Sequence, residues 1–336
     1  MTECPPISPD PREKPWPTVH IHTVDAHERS AISKIASKLT IDFVENPEGA
    51  VRQARMLCAQ LPAKLRRALI DFERIGDGAF LVRGVEVGSI GATPGNPDND
   101  VTHTTQMAKS TALVLSVLAH LVGYRAESWG RICQCLVPTR AARRLQTSTG
   151  WGVCLECHTE QAFNLLTRPD YIALGCLRGD PHAITYVMSA RTLQRQLPNW
   201  AVELLYDARF LTRVDQSFVA GGVPDEVRGP IAVLTGPADD PVITYDEDLM
   251  WSDSPKHQRA LDLVKEIWVA HRSGVVLQRG DVMVLDNSRV IHGRSAFSPR
   301  FDGSDRWVAR FQGVTSLAMT RHARKPGSPV IEIPGC

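Results

Sequence analysis

The feature that most constrains this chain is a change of texture after residue 130. From there short apolar or alternating runs recur, at 132–137, 153–157, 171–177, 183–188, 231–234, 242–245, 281–285 and 307–314. Turn residues separate most of them, and one helical pattern, at 257–273, interrupts. Runs this short suit strands better than helices, and their long, irregular excursions suit a sandwich or barrel better than a parallel sheet.

The first third reads differently. Residues 26–72 are helical in pattern: Ala31-Ile32, Ile35-Ala36 and Leu39 place apolar side chains three and four apart, and the stretches 50–61 and 65–72 repeat this. A strand is expected at 79–87, a loop at 91–100 (GATPGNPDND), and a strong Ala/Leu/Met/Val helix at 104–121. Residues 1–18 are Pro-rich and read as an extended lead-in. The expected organisation is therefore a lead-in over 1–18 and a single mainly-β domain over 19–336, with a helical region, 26–76, packed on the β core. His20 and His22 alternate with Val19 and Ile21, which favours an edge strand over a metal site shared with His27.

Charge and cysteine content narrow the function. The chain carries 38 Lys+Arg against 37 Asp+Glu, a net charge of +1, so no nucleic-acid partner is expected. No apolar run approaches the roughly 20 residues of a membrane span, and the N-terminus lacks the apolar stretch of a signal peptide. These features read as a soluble cytoplasmic protein without a membrane partner. Cys154-x-x-Cys157, with Cys133-x-Cys135, invites a zinc reading, but both pairs lie in strand-like stretches and buried free thiols are favoured.

Two segments carry chemistry. In Leu155-Glu-Cys-His-Thr-Glu160, His158 and Glu160 are two apart, so a strand would present both on one side. Alone this is weak, because a chain with 11 His and 37 acids holds about one His-x-acid pair by chance. The second segment runs from Gly280 through an apolar strand and an Asn287-Ser-Arg289 turn to His292 and Arg294, with Asp305-Arg306-Trp307 following. Two imidazoles and one carboxylate on one face of an iron leave positions open for an organic chelator and dioxygen. Arg306 would offer a bidentate fork to that chelator's remote carboxylate.

Together these residues resemble the iron(II)/2-oxoglutarate-dependent oxygenases, in the clavaminate synthase-like branch that includes free-amino-acid hydroxylases. The resemblance rests on His158-Thr-Glu160-x-Ala-Phe163, on Pro169-Asp-Tyr171 with Cys176-Leu-Arg178, and on Asp281 through Arg310, and spans about residues 120–315. It implies a double-stranded β-helix (jelly roll) core with helices packed outside, Fe(II) as cofactor, and 2-oxoglutarate and O2 as co-substrates. His158, Glu160 and His292 match the metal ligands; Glu in place of Asp is usual in this branch. Arg306, fourteen residues after His292, matches the arginine that binds the 2-oxoglutarate C5 carboxylate, and Thr185 falls near the hydroxyl placed on the same group. Arg310 matches the arginine that holds the substrate α-carboxylate, with a structural salt bridge as its alternative.

Substrate residues are carried over more loosely. Asp215 and Ser217 resemble an Asp-x-Ser segment that contacts substrate, Asp246 and Asp248 resemble lid acids that meet a cationic side chain, and Glu127 lies near the position facing the substrate amine. For each acid a solvated loop carboxylate remains open. The implied activity is hydroxylation of an unactivated C–H of a free L-amino acid, basic or urea-bearing, such as arginine, citrulline or lysine, in antibiotic or other natural-product biosynthesis. A cyclic amino acid such as pipecolate or proline, a multi-step oxidant or desaturase using the same ligands, and a non-catalytic metal-binding jelly roll stay open as alternatives.

Overall fold

Local signals punctuate the N-terminal helical stretch into three helices. In a computed structural model describing residues 19–98 and 101–333, strand β1 (Val19–Thr23) leads into α1 (Ala26–Ser37), α2 (Pro47–Leu57) and α3 (Ala63–Ile75). The lead-in 1–18 lies outside the described residues. Asp25 and Glu28 form a capping box on α1, and Asn46 caps α2 with Pro47 at its first position. Then come β2 (Ala79–Arg83), α4 (Gln106–Leu118) and β3 (His120–Tyr124). The helix expected at 104–121 therefore stops at Leu118. Strand pairing overrides helical pattern there, because 120–122 align with 312–314 of a long strand.

Next in chain order are β4 (Gln134–Leu136), β5 (Leu155–His158), β6 (Tyr171–Arg178), β7 (Ile184–Ser189), α5 (Ala190–Gln196), α6 (Asn199–Leu205), β8 (Phe210–Arg213) and α7 (Gln216–Ala220). The rest are β9 (Val227–Ile231), β10 (Leu234–Thr235), β11 (Val242–Ile243), β12 (Met250–Trp251), α8 (Pro255–His271), β13 (Ser273–Val276), β14 (Val282–Asp286), β15 (Val290–Arg294), β16 (Trp307–Val314) and β17 (Val330–Ile331). The run expected at 231–234 falls between β9 and β10. Val233 bonds instead to the carbonyl of Leu205 and the amide of Thr244, so it crosses between elements.

Two sheets face each other as a jelly roll. The larger has the order β1-β2-β14-β6-β16-β3-β17, with β4 also on β16; the smaller has the order β13-β7-β15-β5. Alternation along β14 sorts the layers: Met283 and Leu285 point to the smaller sheet beside Ile172, Leu174, Val187 and Val290, whereas Val282 and Val284 join Phe80 and Phe311 beneath the N-terminal helices. Gly175 lets α4 approach this outer face; a Cβ there would lie 2.0 Å from Thr111 Oγ1. Helices α5, α6 and α8 cover the outside of the smaller sheet through Leu193, Leu205, Val264 and Trp268. The expected core with helices packed outside is present, and β1 is the edge strand read around His20 and His22, paired with β2 alone. Cys133, Cys135 and Cys157 are buried and Cys154 is half-buried. No helix among the described residues is long and apolar enough to cross a membrane.

Candidate active site

The smaller sheet brings the two histidines together. His158 ends β5 and is the register partner of His292 on β15, so the rings lie 4.5 Å apart between centroids. Glu160 follows two residues later in a turn, its Oε1 3.6 Å from His292 Nε2, too long for a hydrogen bond. The three side chains offer donor atoms that all lie within 4.8 Å of one another.

Their protonation suits a cation. His158 Nδ1 lies 2.7 Å from the Glu156 carbonyl, an acceptor that fixes the proton on Nδ1 and leaves Nε2 as a lone-pair donor. Burial, with His158 beside it, lowers the pKa of His292 and keeps that ring neutral. His292 Nδ1 is buried and without a hydrogen-bond partner. Burial opposes ionisation of Glu160, but Arg310 and the two imidazoles outweigh it and hold the carboxyl below the usual range. Two imidazoles and a carboxylate, converging and not satisfied by one another, fit a divalent ion such as iron.

These donors open on a cavity of about 500 Å³ that Arg306, Arg310, Thr185, Glu127, Asp215, Ser217, Asp246 and Asp248 also line. Every site residue expected from the sequence thus reaches one cavity, though in different states. Arg306, immediately before β16, is 6% exposed and has no ion pair among the described residues; burial depresses its pKa. Its guanidinium is a buried cation lacking a counter-ion, an arrangement that is costly unless an anion arrives. Thr185, 4% exposed, lies on β7 opposite Arg294 of β15.

Arg310 is engaged differently. It lies on β16 in register with Gln134, donates from Nε to Gln134 Oε1 at 2.6 Å and from Nη1 to Glu160 Oε1 at 3.3 Å, and pairs through Nη2 with Glu127. Burial raises the pKa of Glu127 against the pull of Arg310. Gln134 and Gln312 donate to its other oxygen at 3.1 and 3.3 Å.

The acids of the mouth are held by local bonds. Asp215 caps α7, accepting from Ser217 N and Oγ, each at 2.8 Å. Asp246 accepts from the amides of Asp248 and Leu249 at 3.0 and 2.9 Å, and burial pushes its pKa up to about 6. Asp248 is exposed.

Three residues of the site escape the sequence reading. Glu156 lines the cavity, and burial with the charges of Glu247 and Asp248 pushes its pKa up to about 7; its place two residues before His158 is the signal that could have found it. Arg294, two after His292, clamps the loop over the cavity by donating to the carbonyls of Ser148 and Gly150 at 3.1 and 2.6 Å. Gln134 contacts both Arg310 and Glu127, and only its register opposite Arg310 reveals it.

Known proteins share this architecture. An L-lysine 3-hydroxylase of Catenulispora acidiphila is 36% identical over 93% of this chain and 88% of its own length. The crystal structure of an asparagine oxygenase in complex with Fe(II), 2S,3S-3-hydroxyasparagine and succinate superposes with a TM-score of 0.86 at 28% identity, covering 93% of this chain and 99% of that one. The non-heme iron oxygenase OrfP, in complex with Fe and α-ketoglutaric acid, gives a TM-score of 0.81 at 25% identity over 93% and 99% of the two chains. A family model matches residues 137–312, a span that holds both histidines, Glu160, Arg306 and Arg310. The chain belongs to the taurine catabolism dioxygenase TauD, TfdA family.

Proposed function

We propose that this chain is an Fe(II)/2-oxoglutarate-dependent hydroxylase of a free L-amino acid with a basic or urea-bearing side chain. The observation that carries the reading is the pairing, in one cavity, of a converging His–Glu–His set with a buried guanidinium, Arg306, that has no ion pair among the described residues. The relatives support it: their names describe oxygenation of lysine and asparagine, and the crystal structures hold iron with succinate or α-ketoglutaric acid.

His158, Glu160 and His292 would hold the iron, which when bound supplies oxygen activation coupled to decarboxylation of 2-oxoglutarate to succinate. Arg306, with the Thr185 hydroxyl, would take the C5 carboxylate of 2-oxoglutarate, the anion its burial calls for. Arg310 and Glu127 form a buried cation–anion pair at the same cavity. That pair matches a zwitterion, the guanidinium for the α-carboxylate and the carboxylate for the ammonium. Gln134, bonded to both, keeps the two groups in register. Asp215 and Ser217, with Asp246 and Asp248, would meet the rest of the substrate from the mouth. The protein's contribution is orientation: the C–H held toward the iron is the one hydroxylated.

A compact cyclic amino acid is the second reading. It is favoured by the exposure of Asp248 and by the two backbone amides that already occupy Asp246. The partner is in either case a small molecule, and the near-zero net charge supports no nucleic-acid role. The deciding experiment is a mass-spectrometric screen of the twenty amino acids plus citrulline, ornithine and pipecolate with Fe(II) and 2-oxoglutarate. A +16 product on lysine, arginine, ornithine or citrulline supports the first reading and one on pipecolate or proline the second. No product, with no succinate formed, sinks both.

A further inference from the structure

We propose that Asn287 is a positioning residue for the metal centre, its side-chain amide serving as the strand partner that Glu160 lacks. Glu160 lies beyond the end of β5, so no sheet pairing fixes the backbone that carries its carboxylate. Asn287, fully buried between β14 and β15, supplies the missing bonds. Its Oδ1 accepts from the Glu160 amide at 2.7 Å, and its Nδ2 donates to the Glu160 carbonyl at 3.0 Å. One amide thus satisfies both backbone groups of a single residue, as a neighbouring strand would.

The second Nδ2 hydrogen goes to the Pro169 carbonyl at 2.8 Å, and the Asn287 backbone amide goes to the Asp170 carbonyl at 2.8 Å. Start and finish of the loop that follows Glu160 are therefore tied to one point. The bonding fixes which end of the amide is oxygen, because a flipped group would set N–H against N–H. On the other side Thr159 is locked to Tyr245, its amide donating to that carbonyl at 2.8 Å and its Oγ1 accepting from that amide at 3.2 Å. Immediately after Glu160 the chain turns through a left-handed residue, Gln161 at φ 56°. A non-glycine residue holds that conformation only when its surroundings impose it. Asn287 sits five residues before His292, so the same turn that launches the second histidine strand sets the carboxylate of the first segment.

The role rests on the proposed metal site, and Co(II) binding separates the two. Titrate Co(II) calorimetrically into wild type, Asn287→Ala, Asn287→Asp and Asn164→Ala, with thermal melting alongside. Asn164 braces the same loop, through Gln161 and Thr167, without touching Glu160. Asn287→Ala is expected to bind Co(II) about 10–100-fold more weakly, the usual scale for removing a group that orients a ligand. Asn287→Asp keeps the acceptor for the Glu160 amide but sets a carboxylate oxygen against the Glu160 and Pro169 carbonyls, and should also bind Co(II) more weakly than wild type. Asn164→Ala should melt earlier yet bind as wild type does. Wild-type affinity in Asn287→Ala overturns the role, as does an equal loss in Asn164→Ala. If Asn287→Ala does not fold, wild-type affinity in Asn287→Asp overturns it. A wild type that binds no Co(II) overturns the metal site itself, and this role with it.

Discussion

The inner end of the cavity and its mouth are built from different material. Inside, Thr185, His292, Arg306 and Arg310 are 4–7% exposed and lie on or beside paired strands of the two sheets. At the mouth, Asp215, Ser217 and Asp246 are half-buried and Asp248 is exposed. They sit on a five-residue helix and a loop, and their side-chain hydrogen bonds reach no more than three residues along the chain, although the Asp246 backbone forms a β-bridge with His158. Side chains anchored on strands are held to a narrow geometry, which oxygen chemistry requires, whereas loop carboxylates can change without disturbing the sheets. We infer from this difference that the inner end carries the chemistry and the mouth the choice of substrate.

The largest expected effect tests the inner end. His158→Ala, Glu160→Ala and His292→Ala should each abolish succinate formation while keeping a cooperative melting transition, since no single ligand supports the sandwich core. Near-full turnover in any one of them, with iron supplied, would remove that residue from the metal set.

Next comes Arg306→Ala. Removing a buried guanidinium from a charge-assisted carboxylate pair costs about 2–4 kcal/mol. The apparent KM for 2-oxoglutarate should rise by that scale, far more than the KM for the amino acid. Steady-state titration of each substrate in turn checks this, and an unchanged 2-oxoglutarate dependence would move the role to Arg294 or Arg310.

The same division marks what was legible in the sequence. Strand β16 has the bounds its apolar run suggests, 307–314, because both faces of that strand are buried and the whole run must be apolar or paired. Strand β15 shows no strand pattern in the sequence: His292 and Arg294 interrupt its apolar run, and both line the cavity. Helices α5, α6 and α7, of five to seven residues, are too short to show a helical period. The His–Glu–His set was readable through local spacing and family resemblance. The Arg310–Glu127 pair joins residues 183 apart, and only folding brings them together. Asn287 reads as an ordinary turn residue because its hydrogen bonds, to residues more than 100 positions away, leave no local trace.

A smaller effect tests the mouth. The double variant Asp246→Asn plus Asp248→Asn should lose roughly tenfold in kcat/KM on a cationic amino acid, the scale of one or two partly exposed charge contacts. It should still bind 2-oxoglutarate as the wild type does. Assays on arginine, citrulline, lysine and pipecolate, side by side, decide between the readings. Wild-type preference for pipecolate, with no effect of the double change, would promote the compact substrate.

The smallest effect is a pH dependence carried by Asp246 at the mouth and Glu156 on β5. Burial raises Asp246 to about 6, partly offset by His158, and raises Glu156 to about 7. A carboxyl with a raised pKa is charged above that value and becomes neutral as pH falls through it. If these carboxylates face a cationic side chain, the KM for lysine should rise as the pH is lowered from about 8 to about 5.5, by about 1 kcal/mol or fivefold. Citrulline, whose urea is neutral across that range, should show little of this rise. Asp246→Asn removes the lower of the two ionisations, so its lysine profile should flatten near pH 6. The slope near 7 that belongs to Glu156 should persist. Parallel profiles for lysine and citrulline in the wild type would show that the mouth does not read side-chain charge, and would leave Arg310 and Glu127 to select the substrate through its amino-acid end alone.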